Sequence, residues 1–185
     1  MTLKISETLE VSLRERNRWL VAAGFAPLFK TRPLDDPQMS QVMSAVRMML
    51  TNHEPFPAVA VDRAWNIRLA NPPFERLTAM LGVDIWKSIG GAQREAEASA
   101  GEDMRQILTE MCPYQDKSFL WAAEDTALLP VLPLRMARNG VQLSLFAVIA
   151  TFGTAQDVTA DELRIESLFP ADEATEQLFR AAASS

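Results

Sequence analysis

Residues Pro57 to Gly82 read PAVAVDRAWNIRLANPPFERLTAMLG. Ala58 to Val61 is a short apolar run that predicts a buried strand. Asp62-Arg63-Ala64-Trp65-Asn66 supplies polar turn chemistry before Ile67 to Ala70 resumes an extended pattern. Asn71 predicts a helix start, because its side chain can accept a free amide of the first turn and Pro72 suits the first helical position. Phe74, Leu77 and Leu81 then share one helix face until Gly82 stops it. Strand, turn, strand and amphipathic helix thus follow in one run.

Upstream, Ser12 to Gly24 predicts a helix with Leu13, Trp19, Leu20 and Ala23 on one face, ended by Gly24. After a loop carrying Pro27, Pro33 and Pro37, Asp36 caps a second helix, whose Met39, Val42, Met43, Val46, Met49 and Leu50 recur at helical spacing up to His53. Downstream, Gly90-Gly91 marks a break and Glu102 to Met111 predicts a helix. Phe119 to Trp121 and Leu128 to Met136 read as extended, with Pro130 and Pro133 implying an edge or irregular strand.

Asn139-Gly140 is the strongest local turn signal, and Val141 to Phe152 beyond it is β-rich, so a second hairpin is expected. A fifth strand is read from the alternation Glu162-Leu163-Arg164-Ile165-Glu166. Thr159 and Glu162 are also spaced as a capping box, which would start a helix there instead. Ala171 to Ala183 should be helical. The fold class expected is α+β: an antiparallel sheet of about five strands with flanking helices, preceded by two N-terminal helices.

Composition fits one globular domain, since 48% of the 185 residues are hydrophobic, enough for a core that buries roughly 70% of the unfolded surface. Eighteen basic against 24 acidic side chains leave a net charge of −6, which gives these residues no electrostatic basis for holding a phosphate backbone. A single cysteine, Cys112, allows no internal disulfide and suits a reducing cytoplasm. No apolar run approaches the roughly 20 residues that span a bilayer, and the first residues do not read as a signal peptide, so a soluble cytoplasmic protein without membrane contact is expected.

Catalytic and metal signatures are sparse. His53 is the only histidine, too few for a histidine metal cluster, and it is expected to cap or pack the end of the second helix. Cys112 reads as a small buried hydrophobe. The pairs Asp35-Asp36, Asp161-Glu162 and Asp172-Glu173 stand where helix N-termini favour negative charge. Neither a Gly-rich phosphate loop nor paired-cysteine zinc spacing occurs. The reading is a non-enzyme without cofactor; an enzyme would need Glu54, His53 or Cys112 to converge in one cleft.

The hairpin with an Asp-led turn followed by Asn and a helix resembles the opening of a PAS sensor domain. LRERNRWLVAAGFAPLF at Leu13 to Phe29, PLDDPQM at Pro33 to Met39, NHEPFPAVAVDRAWNIRLAN at Asn52 to Asn71 and ATFGTAQDVTADELRIESLFPADEAT at Ala150 to Thr175 narrow it. Together they resemble the ligand-binding domain of MmyB-like transcription regulators, a branch of the XRE helix-turn-helix family. Members carry a DNA-reading domain upstream, so residues 1–30 are expected to be a remnant or linker helix and 31–185 the PAS-like ligand-binding domain. Trp86 to Leu120 departs from the family pattern.

The resemblance implies a pocket between sheet and helices for a small hydrophobic, fatty-acid-like ligand. It also implies a homodimer, with DNA contact only through a helix-turn-helix domain. Strand alternation groups Leu132, Leu134 and Met136 on one face and Leu143, Leu145 and Ile149 on another, as a floor beneath Phe74, Leu77 and Leu81. Arg68 or Arg135 could anchor an acid head group, though both alternate out of phase with the apolar faces. The methionines, including Met43, Met48, Met49, Met80, Met104, Met111 and Met136, suit an adaptable wall. The alternative is an interaction module whose exposed Trp19 and Trp121 regions mediate association.

Overall fold

The computed structural model describes residues 11–81, 131, 134–138 and 140–183. The expected break at Gly90-Gly91, the helix Glu102–Met111, Cys112, Phe119–Trp121 and Leu132 lie outside the described residues, as do the side chains of Leu81 and Arg138. Helices α1 (Leu13–Ala22) and α2 (Ser40–Asn52) lead into strands β1 (Ala58–Val61) and β2 (Ile67–Ala70), then α3 (Pro72–Leu81). Strands β3 (Leu134–Arg138) and β4 (Val141–Ala150), a one-turn helix α4 (Val158–Asp161), β5 (Arg164–Pro170) and α5 (Glu173–Ala183) follow. The five strands form one antiparallel sheet in the order β2-β1-β5-β4-β3. This is the α+β architecture expected, an antiparallel sheet with flanking helices, with β3 at one edge; Pro130 and Pro133 lie outside the described residues.

Local chemistry sets most boundaries. Ser12 Oγ accepts the Glu15 N–H at the start of α1, and Gly24, at φ 81°, ends the turn beyond it. Asp36 caps as predicted, but what it caps is the 3-10 turn Pro37–Met39 that feeds α2. Gly140 at φ 80° makes the β3–β4 turn, where a side chain would strain the backbone. Of the competing readings near Thr159 the strand holds, with β5 starting at Arg164, whereas the capping box does not: a one-turn helix precedes the strand, capped by Asp157, whose carboxylate accepts the Thr159 N–H, and Glu162 closes it instead of opening a helix. The Asp172 carboxylate accepts the Thr175 N–H at 2.8 Å and starts α5.

Two apolar layers sandwich the sheet. On the outer face, Val46 and Leu50 of α2 meet Ala58, Ala60, Leu163 and Ile165. On the inner face, Phe74 and Leu77 of α3 meet residues from all the central strands, and Phe179 of α5 joins them. As the central strand, β5 has apolar layers on both sides, so its alternation does not mark a solvent face as the sequence suggested. Met48 and Met49, expected to be inward, are exposed, because α2 buries only one narrow stripe; Trp19, read both as part of the apolar face of α1 and as an exposed association residue, is exposed.

Asn71 joins the layers. It is 3% exposed. Its Oδ1 accepts the N–H groups of Ala58 and Phe74 at 2.9 and 3.1 Å, and its Nδ2 donates to the carbonyls of Leu50 and Phe56 at 3.1 and 2.9 Å. One side chain therefore ties the end of α2, the start of β1 and the first turn of α3. His53, the residue after α2, sets its Nε2 2.9 Å from the Leu168 carbonyl and stacks edge-on against Phe169, with ring centroids 4.6 Å apart.

Candidate ligand-binding face of the sheet

Cross-strand partners share a face, so the register defines the inner wall. Leu134 faces Leu145 and Met136 faces Leu143 across β3 and β4; Ala147 faces Leu168 across β4 and β5. Met136, Leu143, Leu145 and Leu168 are buried in one cluster with Phe74, Leu77, Val59 and Val61, and the half-buried Leu134 packs against it. Six of the eleven residues singled out in the sequence therefore converge: Phe74, Leu77, Leu134, Met136, Leu143 and Leu145.

Three more, Ile149, Arg135 and Arg68, are placed differently. Ile149 keeps the parity of Leu145 but lies beyond the covered part of β4 and is 44% exposed. Arg135, opposite Ser144, is on the outer face, and Arg68 is exposed on the edge strand with its guanidinium on Asp62. Of the methionines, Met80 and Met136 reach the inner cluster, whereas Met43 is buried on α2.

Asp62 organises the β1–β2 turn. Its carboxylate accepts the N–H groups of Ala64 and Asn66 at 2.8 and 3.0 Å, the Asn66 side-chain amide, and the Arg68 guanidinium. Partial burial opposes ionisation of Asp62, but the Asn66 amides and Arg68 outweigh it and hold the carboxyl below its usual range. Arg68 thus has a structural partner beside the turn.

Sequence reasoning missed Glu166. It is 1% exposed and lies on the inner face, opposite Val59 on β1 and Ile149 on β4. Alternation alone would put this glutamate toward water, and only the central position of β5 reveals its burial. Outside the inner cluster, a groove of about 400 Å³ opens between the Arg32–Val42 region and residues 152–160, lined by Gln38, Met39, Gln41, Phe152, Gln156 and Asp157 among others. None of the eleven predicted residues lines it. Among the described residues, no three His, Cys, Asp or Glu side chains are grouped to hold a metal, and no helix is long and apolar enough to cross a membrane.

Comparison with known proteins bears on the wall formed by β1, β2 and α3. Residues 42–88 match the family model described as MmyB-like transcription regulator ligand binding domain. Among solved structures, a LOV protein of Rhodobacter sphaeroides is similar at 19% identity, covering 78% of this chain and 75% of that one with a TM-score of 0.39. The PAS domain of BvgS from Bordetella pertussis is similar at 13% identity, covering 77% and 96% with a TM-score of 0.40. No curated protein matches the chain. Through α2, the first hairpin and α3, the chain resembles the MmyB-like transcription regulator ligand-binding domain, as its sequence motifs led one to expect.

Proposed function

We propose that this chain is the effector-sensing and dimerising part of a transcription regulator, and that it takes a small hydrophobic, fatty-acid-like ligand against the inner face of the sheet. One observation carries the reading: apolar side chains from α3, β3 and β4 converge on a single face, next to elements that match a ligand-binding family. Burying about ten methylenes at roughly 0.8 kcal/mol each would contribute about 8 kcal/mol against a cost in rigid-body freedom of roughly 4–15 kcal/mol. Apolar contact would dominate the affinity, and a polar anchor would set orientation.

Residues 1–30 serve as the linker helix and 31–185 as the sensing domain, in a cytoplasmic homodimer. DNA contact falls to a helix-turn-helix domain rather than to these residues, whose net charge is −6. Ligand acts by binding one arrangement of the N-terminal helices more tightly than another. The protein has a binding role rather than a catalytic one.

Native mass spectrometry on protein purified without added lipid, followed by thermal shifts with straight-chain acids and alcohols of graded length, tests this. Stabilisation should grow with chain length, toward about 0.8 kcal/mol per added methylene. Empty protein, indifferent to every chain length, would refute it. The second reading, an interaction module without ligand, is favoured by the exposure of Trp19, Phe25 and Leu28, and it predicts that empty, inert outcome together with self-association.

A further inference from the structure

The acidic pair Asp161-Glu162 sits at the end of its own short helix, where the dipole gives acids no advantage, and its partners are 148 residues away at the start of α1. The Asp161 carboxylate accepts the Leu13 N–H at 2.9 Å, and Glu162 takes the Arg14 guanidinium in two bonds of 2.5 and 2.7 Å. Negative charge does stand at a helix N-terminus, as the sequence suggested, but at that of a remote helix.

The far end of the N-terminal unit is held by the same segment. The Val158 N–H donates to the Lys30 carbonyl at 2.8 Å, Arg32 pairs with Asp157 at 2.7 Å, and the Thr159 hydroxyl donates to the Arg32 carbonyl at 2.6 Å. Between these ends the unit is braced internally. Asn17 Oδ1 accepts the N–H groups of Leu28 and Phe29 at 2.9 and 3.0 Å, and its Nδ2 donates to the Phe29 carbonyl at 2.7 Å. Apolar burial adds little, since α1 buries only Leu13 and Leu20 while Phe25 and Leu28 are 62% and 58% exposed.

We propose that Asp157–Glu162 is a polar latch that holds Leu13–Arg32 on the domain as one body and can release it without unfolding the sheet. β5 begins two residues after Glu162 and pairs with both β1 and β4. The inference goes beyond the ligand reading and does not depend on it.

Hydrogen exchange on the purified chain tests the latch. Glu162→Gln and Arg14→Gln should each speed exchange of residues 13–22 by about tenfold or more, as loss of a charge-assisted pair in a locally opening unit implies. Protection of β1, β4 and β5 should stay unchanged. The swap of Arg14→Glu with Glu162→Arg should restore most of the protection, while Glu176→Gln, which breaks the exposed Glu176–Arg180 pair on α5, should leave it intact. Unchanged exchange in α1, or exchange that rises equally in the sheet with Arg14→Gln, would overturn the proposal.

Discussion

Replacing Asn71 should cost far more than the loss of a helix cap. Asn71→Ala leaves one amide donor, Ala58, and two carbonyl acceptors, Leu50 and Phe56, without the partner they have at 2.9–3.1 Å, while the Phe74 N–H keeps the backbone carbonyl of residue 71 at 3.0 Å. A buried group left without a partner costs about 1–3 kcal/mol. Even at the lower limit, with local relaxation, three such groups make about 3 kcal/mol, a large share of the roughly 5–15 kcal/mol that stabilises a typical domain. For a chain of this size that corresponds to a fall in Tm of roughly 6–12 °C. Asn71→Asp separates the tie from the cap: aspartate caps a helix as well as asparagine does, but it points a carboxylate at the Leu50 and Phe56 carbonyls. Urea unfolding followed by far-ultraviolet circular dichroism should find both variants destabilised by several kcal/mol. An Asn71→Asp variant as stable as the parent would refute the reasoning, because the residue would then matter only as a cap.

The carboxyls of Asp62 and Asp172 are held below their usual range when folded. They therefore contribute stability that is complete above the unfolded value of about 3.9 and is lost as pH falls through the lower folded value. Urea midpoints should drop below about pH 4, and Asp62→Asn should flatten that dependence, an outcome read by repeating the titration on the variant. Gly140→Ala should cost about 1–2 kcal/mol through its left-handed φ alone, since a Cβ there meets nothing within 4 Å; an unchanged Tm would contradict it. Leu145→Ala should cost about 2–5 kcal/mol as a fully buried truncation, whereas Ile149→Ala, two turns of the alternation further along the same strand, should stay within about 0.5 kcal/mol. Equal effects at the two sites would mean that the inner face extends further along β4 than the register suggests.

Local signals were legible where one residue decides one boundary. Asn71 with Pro72, Asp36, Gly24 and the Asn139-Gly140 turn each mark their element in the sequence, and the first hairpin lies where its pattern predicts. Six pocket candidates converge because strand parity is local information. What sequence could not reveal is what covers each strand. β5 is central, so Glu166 is buried despite its alternation, while β4 outruns its cover, so Ile149 is exposed despite sharing parity with Leu145. The roles of Asp161 and Glu162 depend on a helix 148 residues away, and no spacing rule reaches that far.

Photo-crosslinking with a diazirine-bearing alkyl carboxylic acid, mapped by peptide mass spectrometry, tests the central claim most directly. The account predicts that labelled peptides come from α3 and from β3 and β4, around Phe74, Leu77, Met136 and Leu143, and that an unlabelled chain of the same length competes for them. Labelling confined to the groove around Gln38, Phe152 and Gln156, or spread without competition, would contradict an apolar ligand site on the inner face.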